Sequence, residues 1–180
     1  MLARIITVAI ALLIAVTPAR AADKENLKVF RDVQRQVLSY PHFTIFDSVD
    51  AQVDHGTVTL TGKVTMPYKR DDIAKRVSSL PSVSKVNNQI TVLPVSQFDD
   101  DLRLRIARAI YNNGNFRPYA FMVNPPIHVI VEHGRVTLQG VVNSEVDRML
   151  ARSIATNFLA FDVKNELKTE AEVKQELEKL

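Results

Sequence analysis

Four basic residues near the amino terminus have the spacing of a single helical stripe. They are Lys24, Lys28, Arg31 and Arg35, at positions i, i+4, i+7 and i+11. At 100° per residue, these side chains lie within about 60° of one another on a helix. Such a stripe beside an apolar face can lie on anionic lipid headgroups, and four residues contribute roughly 4 kcal/mol, about millimolar affinity. The stripe predicts reversible binding to an anionic surface. The alternative is a solvated helix face whose acids, Glu25 and Asp32, pair with its bases.

Three arginines and two aromatic residues further along the chain are additional candidates. Arg103, Arg105 and Arg108 predict a more diffuse basic surface on a second helix. Phe116 and Tyr119 belong to an aromatic segment beside Arg117, where they can contact a lipid interface or an unfolded polypeptide. Burial of both residues at the end of a core explains them equally well.

The histidines and glycines of the sequence do not indicate catalysis. His55 and His133 each follow an acidic residue, so two touching hairpin tips would offer ligands to a metal. Polar residues are common in turns, and we take that simpler explanation. The chain has no cysteine, no Gly-x-Ser-x-Gly or His-Glu-x-x-His pattern and no phosphate-binding glycine loop. We expect no enzyme activity, no cofactor and no metal site.

Residues 1–21 have the three regions of a secretory signal peptide. Arg4 precedes an apolar run, Ile5–Val16, which is shorter than the ~20 residues that span a membrane, and small residues follow it. Cleavage before Ala22 removes 2 of the 23 basic residues, so 21 remain against 20 acidic ones and the net charge falls from +3 to +1. This charge does not argue for a nucleic-acid partner. We expect a periplasmic protein without a lipid anchor, because no cysteine is available to carry one.

The chain contains an internal repeat. Residues 53–64 match residues 131–142 at an offset of 78, and the match includes four of the five glycines, Gly56, Gly62, Gly134 and Gly140. Alternating apolar residues on both sides of each His-Gly pair predict two β-hairpins. Gly62 and Gly140 predict a bulge or the close approach of a helix. Phe43 and Phe121 are also equivalent at this offset, and we expect each to close the end of a core.

Each copy of the repeat is predicted to fold as helix, strand, strand, helix, strand. The fold class is therefore α+β, with two tandem αββαβ domains. The predicted divisions are residues 22–93, a linker over Leu93–Gln97, residues 98–169, and a tail, 170–180, that Thr169 and Glu172 can cap as a helix. The tail either docks on the second domain or protrudes. A core of this size gives only about 3 to 5 kcal/mol, so we expect the two domains to pack against each other.

These residues resemble the BON domain, a family named for bacterial osmotically inducible and nodulation proteins. The resemblance rests on the doubled Gly-x-Val-x-Leu-x-Gly hairpin, the amphipathic helices and the closing Val-x-Asn-x-(Ile/Leu) strands. It implies an αββαβ fold, a role in the cell envelope under osmotic or envelope stress, and attachment to phospholipid surfaces. The sequence thus predicts peripheral binding to anionic phospholipid or envelope surfaces. The alternative is a periplasmic chaperone or adaptor that binds unfolded or envelope proteins.

Overall fold

The computed structural model describes residues 19–178 of the chain and the side chains of residues 25–176. The predicted signal peptide, residues 1–21, lies outside the described residues except for its last three, which begin the first helix. The helices are α1 (Ala19–Leu38), α2 (Pro67–Ser78), α3 (Gln97–Tyr111), α4 (Arg117–Ala120), α5 (Glu145–Thr156) and α6 (Glu170–Glu178). The strands are β1 (Ser48–Asp54), β2 (Thr57–Val64), β3 (Lys85–Asn88), β4 (Thr91–Val92), β5 (Ile127–Glu132), β6 (Arg135–Val142) and β7 (Asp162–Thr169). The predicted α+β class with two αββαβ units is confirmed.

The two units have the same sheet topology. In the first unit β2 is central, with β1 antiparallel on one side and β3 and then β4 parallel on the other. In the second unit β6 is central, between antiparallel β5 and parallel β7. The parallel strand follows a helical crossover, α2 or α5, as a parallel connection requires. Each repeat therefore folds as one small sheet with its own helices.

Each sheet buries one face under its helices. On the central strands the buried side chains alternate, as the period of 2 requires: Val58, Leu60 and Val64 on β2, and Val136, Leu138 and Val142 on β6. The first helices supply side chains at helical spacing: Val29, Val33 and Val37 from α1, and Leu102, Ile106 and Ile110 from α3. Because the chain contains no disulfide, these two apolar layers carry the stability of the fold.

Each hairpin turns through two residues, His and Gly, in the left-handed region. The φ angles are 45° and 77° for His55 and Gly56, and 52° and 73° for His133 and Gly134. Two successive positive φ angles match the twist of the flanking strands, and histidine tolerates this region better than a β-branched residue. The backbone N–H of His55 donates to Asn26 Oδ1 at 3.2 Å, and those of His133 and Gly134 donate to the Asp99 carboxylate at 2.8 and 2.7 Å. The first helix of each unit thus anchors the turn.

Gly62 and Gly140 allow a neighbouring strand to approach closely. Their φ angles are 118° and 121°, and a Cβ at these positions would overlap the carbonyl oxygens of Ser48 and Pro126. The strand registers continue through both glycines without an extra residue. The expected bulge or helix contact is therefore wrong, and the small residue is needed because the backbone of the edge strand, or of the residue just before it, occupies the space.

The two units are in contact with each other, as expected. The backbone N–H of Val129 donates to Ile45 O at 2.8 Å, and His128 Nδ1 lies 2.6 Å from Asp47 O. Glu132 on β5 forms an ion pair with Lys63 on β2. The segment just before β1 therefore lies along the outer edge of β5 and joins the two units.

The outer edge of β5 is closed at three successive places. The Tyr111 hydroxyl donates to Ile127 O at 2.7 Å and accepts from Ile127 N–H at 3.0 Å. The Val129 N–H is taken by the first unit, and the buried Arg103 guanidinium donates to Val131 O at 3.1 Å. An edge closed in this way cannot pair with another strand.

The connection between the units is shorter than predicted, and the tail begins by docking. Leu93 is buried and its N–H donates to Val64 O at 2.9 Å, so it completes the first unit. The capping box at α6 is confirmed, with Thr169 N–H donating to the Glu172 carboxylate at 2.7 Å and Glu172 N–H to Thr169 Oγ1 at 3.2 Å. Arg148 of α5 pairs with Glu172 at 3.0 Å and fixes the first turn of α6 to the second unit.

Candidate functional site

The basic stripe of α1 faces solvent where the structure describes it. Lys28, Arg31 and Arg35 are exposed, on the side opposite the buried valines of the helix. Arg35 pairs with Asp32 at 3.2 Å, yet its side chain remains 77% exposed. Lys24 lies in the same helix, and its side chain falls outside those described. Three cations are therefore presented along one face.

An exposed apolar loop from the second unit lies beside this stripe. Phe121, Met122 and Val123 are 85%, 47% and 97% exposed. Val123 and Asn124 form one wall of an open groove of about 650 Å³, and α1 forms the other with Arg31, Gln34, Arg35 and Leu38. We call residues 121–123 the apolar loop. The structure brings it together with the stripe, although about 90 residues separate them in sequence.

The expected roles of the aromatic residues are exchanged in the second unit. Phe116 is fully buried, stacks on Tyr119 at 6.0 Å between ring centroids, and closes the end of the second core. The Tyr119 hydroxyl accepts from Asn143 N–H at 2.9 Å. The prediction of an exposed hydrophobic contact at Phe116 and Tyr119 is therefore wrong, and so is the prediction that Phe121 closes a core. Phe43 is half-buried against the first core.

A buried carboxylate supports the chain where the two units meet. Asp47 accepts hydrogen bonds from the N–H and hydroxyl groups of Thr44 and Thr65 at 2.8 to 2.9 Å and from Lys69 Nζ at 2.7 Å. Burial alone raises the pKa of Asp47, but these hydrogen bonds outweigh it, so the pKa lies below its ordinary value. Burial lowers the pKa of His128, which faces Asp47 O, more than that carbonyl raises it. Sequence periodicity contains no signal for this cluster.

The comparison with protein families decides the identity of the repeat. The BON domain profile matches residues 31–94 and 98–171. The chain belongs to the BON domain family. BON domains are non-catalytic binding domains that are generally associated with membrane phospholipids.

Comparisons with individual proteins add little to this assignment. No curated protein matches the sequence. A solved structure of the C-terminal domain of CdsD, a structural protein of the type III secretion system of Chlamydia trachomatis, is 15% identical, with a TM-score of 0.32. The alignment covers 79% of this chain and 66%, just under two thirds, of that chain. Another CdsD structure is 14% identical over 82% of this chain and 96% of that chain, with a TM-score of 0.30.

The predicted basic surface of the second BON domain divides into separate roles. Arg103 is buried, so the prediction that it contacts lipid is wrong. Its charge is used to close the edge of β5 and to pair with Asp100 at 3.2 Å. Arg105 and Arg108 are both exposed. The Arg105 guanidinium carbon lies 5.4 Å from the centroid of the Phe158 ring. Only Arg105 and Arg108 remain available to an anionic surface.

The second BON domain carries an exposed apolar patch at its hairpin end. Phe98, Leu159 and Phe161 are 54%, 87% and 81% exposed. The Phe161 N–H donates to Gly134 O at 2.8 Å, and the rings of Phe161 and Phe98 both lie against Gly134. The equivalent residues of the first BON domain are polar: Glu25, Ser82 and Ser84. This hairpin-end patch therefore is not a requirement of the fold.

The described residues contain no candidate metal site and no candidate membrane-spanning helix. Within them, no three His, Asp or Glu side chains cluster in a way that would hold a metal ion. No helix in the same part of the chain is both long and apolar enough to cross a bilayer.

Proposed function

We propose that this chain is a non-enzymatic periplasmic BON-domain protein that binds anionic phospholipid or envelope surfaces peripherally, under osmotic or envelope stress. One observation carries the proposal: the exposed apolar loop lies beside the basic stripe of α1. Cations attract the headgroups, and adjacent apolar side chains can enter the acyl boundary. The non-catalytic character of the family supports the absence of enzyme activity, and the signal-peptide pattern supports the location.

The expected affinity follows from the two parts of this surface. Lys28, Arg31 and Arg35 contribute at most about 1 kcal/mol each beside an anionic leaflet. Phe121 and Val123 contribute about 1.5 kcal/mol each if they become buried, at the low end of the range for such side chains. The sum of about 6 kcal/mol corresponds to a dissociation constant between millimolar and micromolar. Binding is therefore reversible and sensitive to salt, because much of it is electrostatic.

The test is flotation of the mature protein with phospholipid vesicles. Vesicles rich in phosphatidylglycerol should carry the protein at low salt and release it at high salt, whereas neutral phosphatidylcholine vesicles should not carry it. Reversal of the stripe, with Lys28→Glu, Arg31→Glu and Arg35→Glu, should abolish flotation. Reversal of three exposed bases elsewhere, with Lys75→Glu, Lys85→Glu and Arg152→Glu, changes the net charge equally and should retain most of it.

Two results would contradict the proposal. Equal flotation with neutral vesicles would exclude the electrostatic contribution, and equal loss in the two charge-reversed variants would show that only net charge matters.

Phe121→Ser with Val123→Ser tests the apolar contribution separately. Because both side chains are exposed, this variant should fold normally and bind at least about 10-fold more weakly.

The hairpin-end patch favours a second candidate, a chaperone or adaptor that binds an envelope protein. Apolar side chains exposed together are typical of protein contacts. The matched variant is Leu159→Ser with Phe161→Ser, which installs the serines of the first domain. If this variant loses suppression of aggregation of an unfolded outer-membrane polypeptide but keeps vesicle flotation, the two functions use different surfaces.

A further inference from the structure

The outer edge of β1 has backbone groups available for pairing. Asp54 and Thr57 flank the two-residue turn as a hydrogen-bonded pair, so Gln52 and Asp50 also bond to β2. The N–H and C=O groups of Val49, Ala51 and Val53 point the other way. Among the described residues, no backbone group pairs with them.

The same edge in the second BON domain is closed, and the sequence explains the difference. There, Tyr111 and Arg103 bind the backbone of β5. The buried residues of α1 and α3 align at an offset of 73. At this offset Leu38 is equivalent to Tyr111, and Phe30 is equivalent to Arg103. Neither the Leu38 nor the Phe30 side chain can form a hydrogen bond. The edge of β1 is thus open through a change of residue type and not through a change of fold.

We propose that β1 pairs with β1 of a second copy of this chain, antiparallel, to form one continuous sheet across two molecules. The side chains of Val49, Ala51 and Val53 face the helices, and those of the exposed Asp50, Gln52 and Asp54 face the opposite side. Pairing of two such edges places apolar residues beside apolar residues under the helices. This proposal is independent of lipid binding.

The charges on β1 select one register. Three registers give hydrogen-bond partners to the outward-pointing backbone N–H and C=O groups and also pair at least five residues of the seven-residue strand. The register centred on Asp50 places Asp50 opposite its own copy, and the register centred on Gln52 places Asp50 opposite Asp54. Like charges directly opposite each other destabilise a sheet. Only the register centred on Ala51 places each Asp50 opposite a neutral Gln52 and each Val49 opposite Val53.

The first test changes that pair of residues. In the Gln52→Lys variant, the new side chain would lie opposite Asp50 of the other molecule at two places in each dimer. The dimer dissociation constant measured by analytical ultracentrifugation should therefore fall by about 3- to 10-fold. Gln52→Asp should raise it by a similar factor. The control is Thr59→Lys, which adds the same charge opposite Gln52 on the central strand. If Gln52→Lys and Thr59→Lys change dimerisation equally, or if every variant stays monomeric, the proposal is wrong.

The second test uses the absence of cysteine in the chain. In the proposed register Asp50 lies opposite Gln52 of the other molecule as a non-hydrogen-bonded pair, with Cα atoms about 4.5 Å apart, which suits a disulfide. The double variant Asp50→Cys with Gln52→Cys should therefore oxidise to a covalent dimer. In Asp54→Cys the two thiols would lie six residues apart along the strands, about 20 Å, and should stay reduced. Equal cross-linking of both variants, or binding of an added extended peptide by a chain that remains monomeric, would overturn the proposal.

Discussion

One buried residue, Asp47, supports the segment of the first BON domain that contacts the second. Asp47 connects the segment before β1, the end of β2 and the start of α2 through five hydrogen bonds. A fully buried carboxylate is tolerable only because Lys69 and the two threonines satisfy it. In the second domain the Tyr119 hydroxyl takes the equivalent place: it accepts from Asn143 N–H at 2.9 Å and donates to Asp147 Oδ2 at 3.3 Å.

Asp47→Asn should destabilise the protein by about 3 kcal/mol, because it leaves the Lys69 charge buried without its partner. The folded pKa of Asp47 lies below its unfolded value, so its contribution is complete above about pH 4 and is lost as the pH falls further. Chemical denaturation between pH 7 and 3 should show a steep loss below pH 4 in the wild type and a smaller loss in the variant. The exposed Asp101→Asn is the control. Parallel pH profiles of the wild type and Asp47→Asn would contradict this account.

At the scale of elements, α3 shows that one helix can carry arginines with unrelated roles. Arg103 closes the edge of β5, Arg105 covers Phe158, and Arg108 extends into solvent. These three residues lie within two turns, and their types do not distinguish them. Their roles depend on which face of α3 the sheet covers.

Arg103→Met should cost about 1 to 2 kcal/mol of stability, because the variant loses a charged hydrogen bond to Val131 O and opens the edge of β5. It should leave vesicle flotation unchanged. Arg108→Met should leave stability within about 0.5 kcal/mol of the wild type, as expected for an exposed position. Urea denaturation and flotation of the two variants in parallel measure both quantities. If folded Arg103→Met floats less than Arg108→Met, the structural role assigned to Arg103 is wrong.

At the scale of the whole molecule, the contact between the two BON domains assembles the proposed lipid surface. The Val129 N–H donates to Ile45 O, and His128 Nδ1 lies against Asp47 O. The centroids of the His128 and Phe43 rings are 5.5 Å apart. This contact places the apolar loop of one domain beside α1 of the other. Neither domain alone presents the combined surface.

The domain contact should weaken as the pH falls. Burial lowers the pKa of His128 in the folded state below its unfolded value of about 6.5, so the unfolded chain binds more protons below that pH. Stability is therefore complete above about pH 6.5 and falls as the pH decreases. His128→Gln can still donate to Asp47 O and does not titrate. Between pH 7 and 5, denaturation midpoints should fall less in His128→Gln than in the wild type. The exposed His42→Gln should keep the wild-type slope, and equal slopes in all three proteins would contradict the prediction.

From the amino-acid sequence we could predict the repeat, the αββαβ order, the His-Gly turns and the helical spacing of the basic stripe. These features depend on residues close together in the chain, where period and turn chemistry act directly. The roles of Phe116, Tyr119 and Phe121 were open or wrong at that level. Aromatic residues in one short loop have similar types, and only the packing of the second core separates the buried pair from the exposed residue.

Which surfaces meet could not be predicted from the sequence. Periodicity identifies the face that a helix or strand buries, but it does not say which neighbour lies along an edge or beside a loop. The placement of the apolar loop next to α1, the closure of β5 by Arg103 and the burial of Asp47 all depend on contacts between distant segments. The first of these contacts depends on how the two units fit together, and the other two depend on packing within one unit. Local propensity carries no information about the partner in either case.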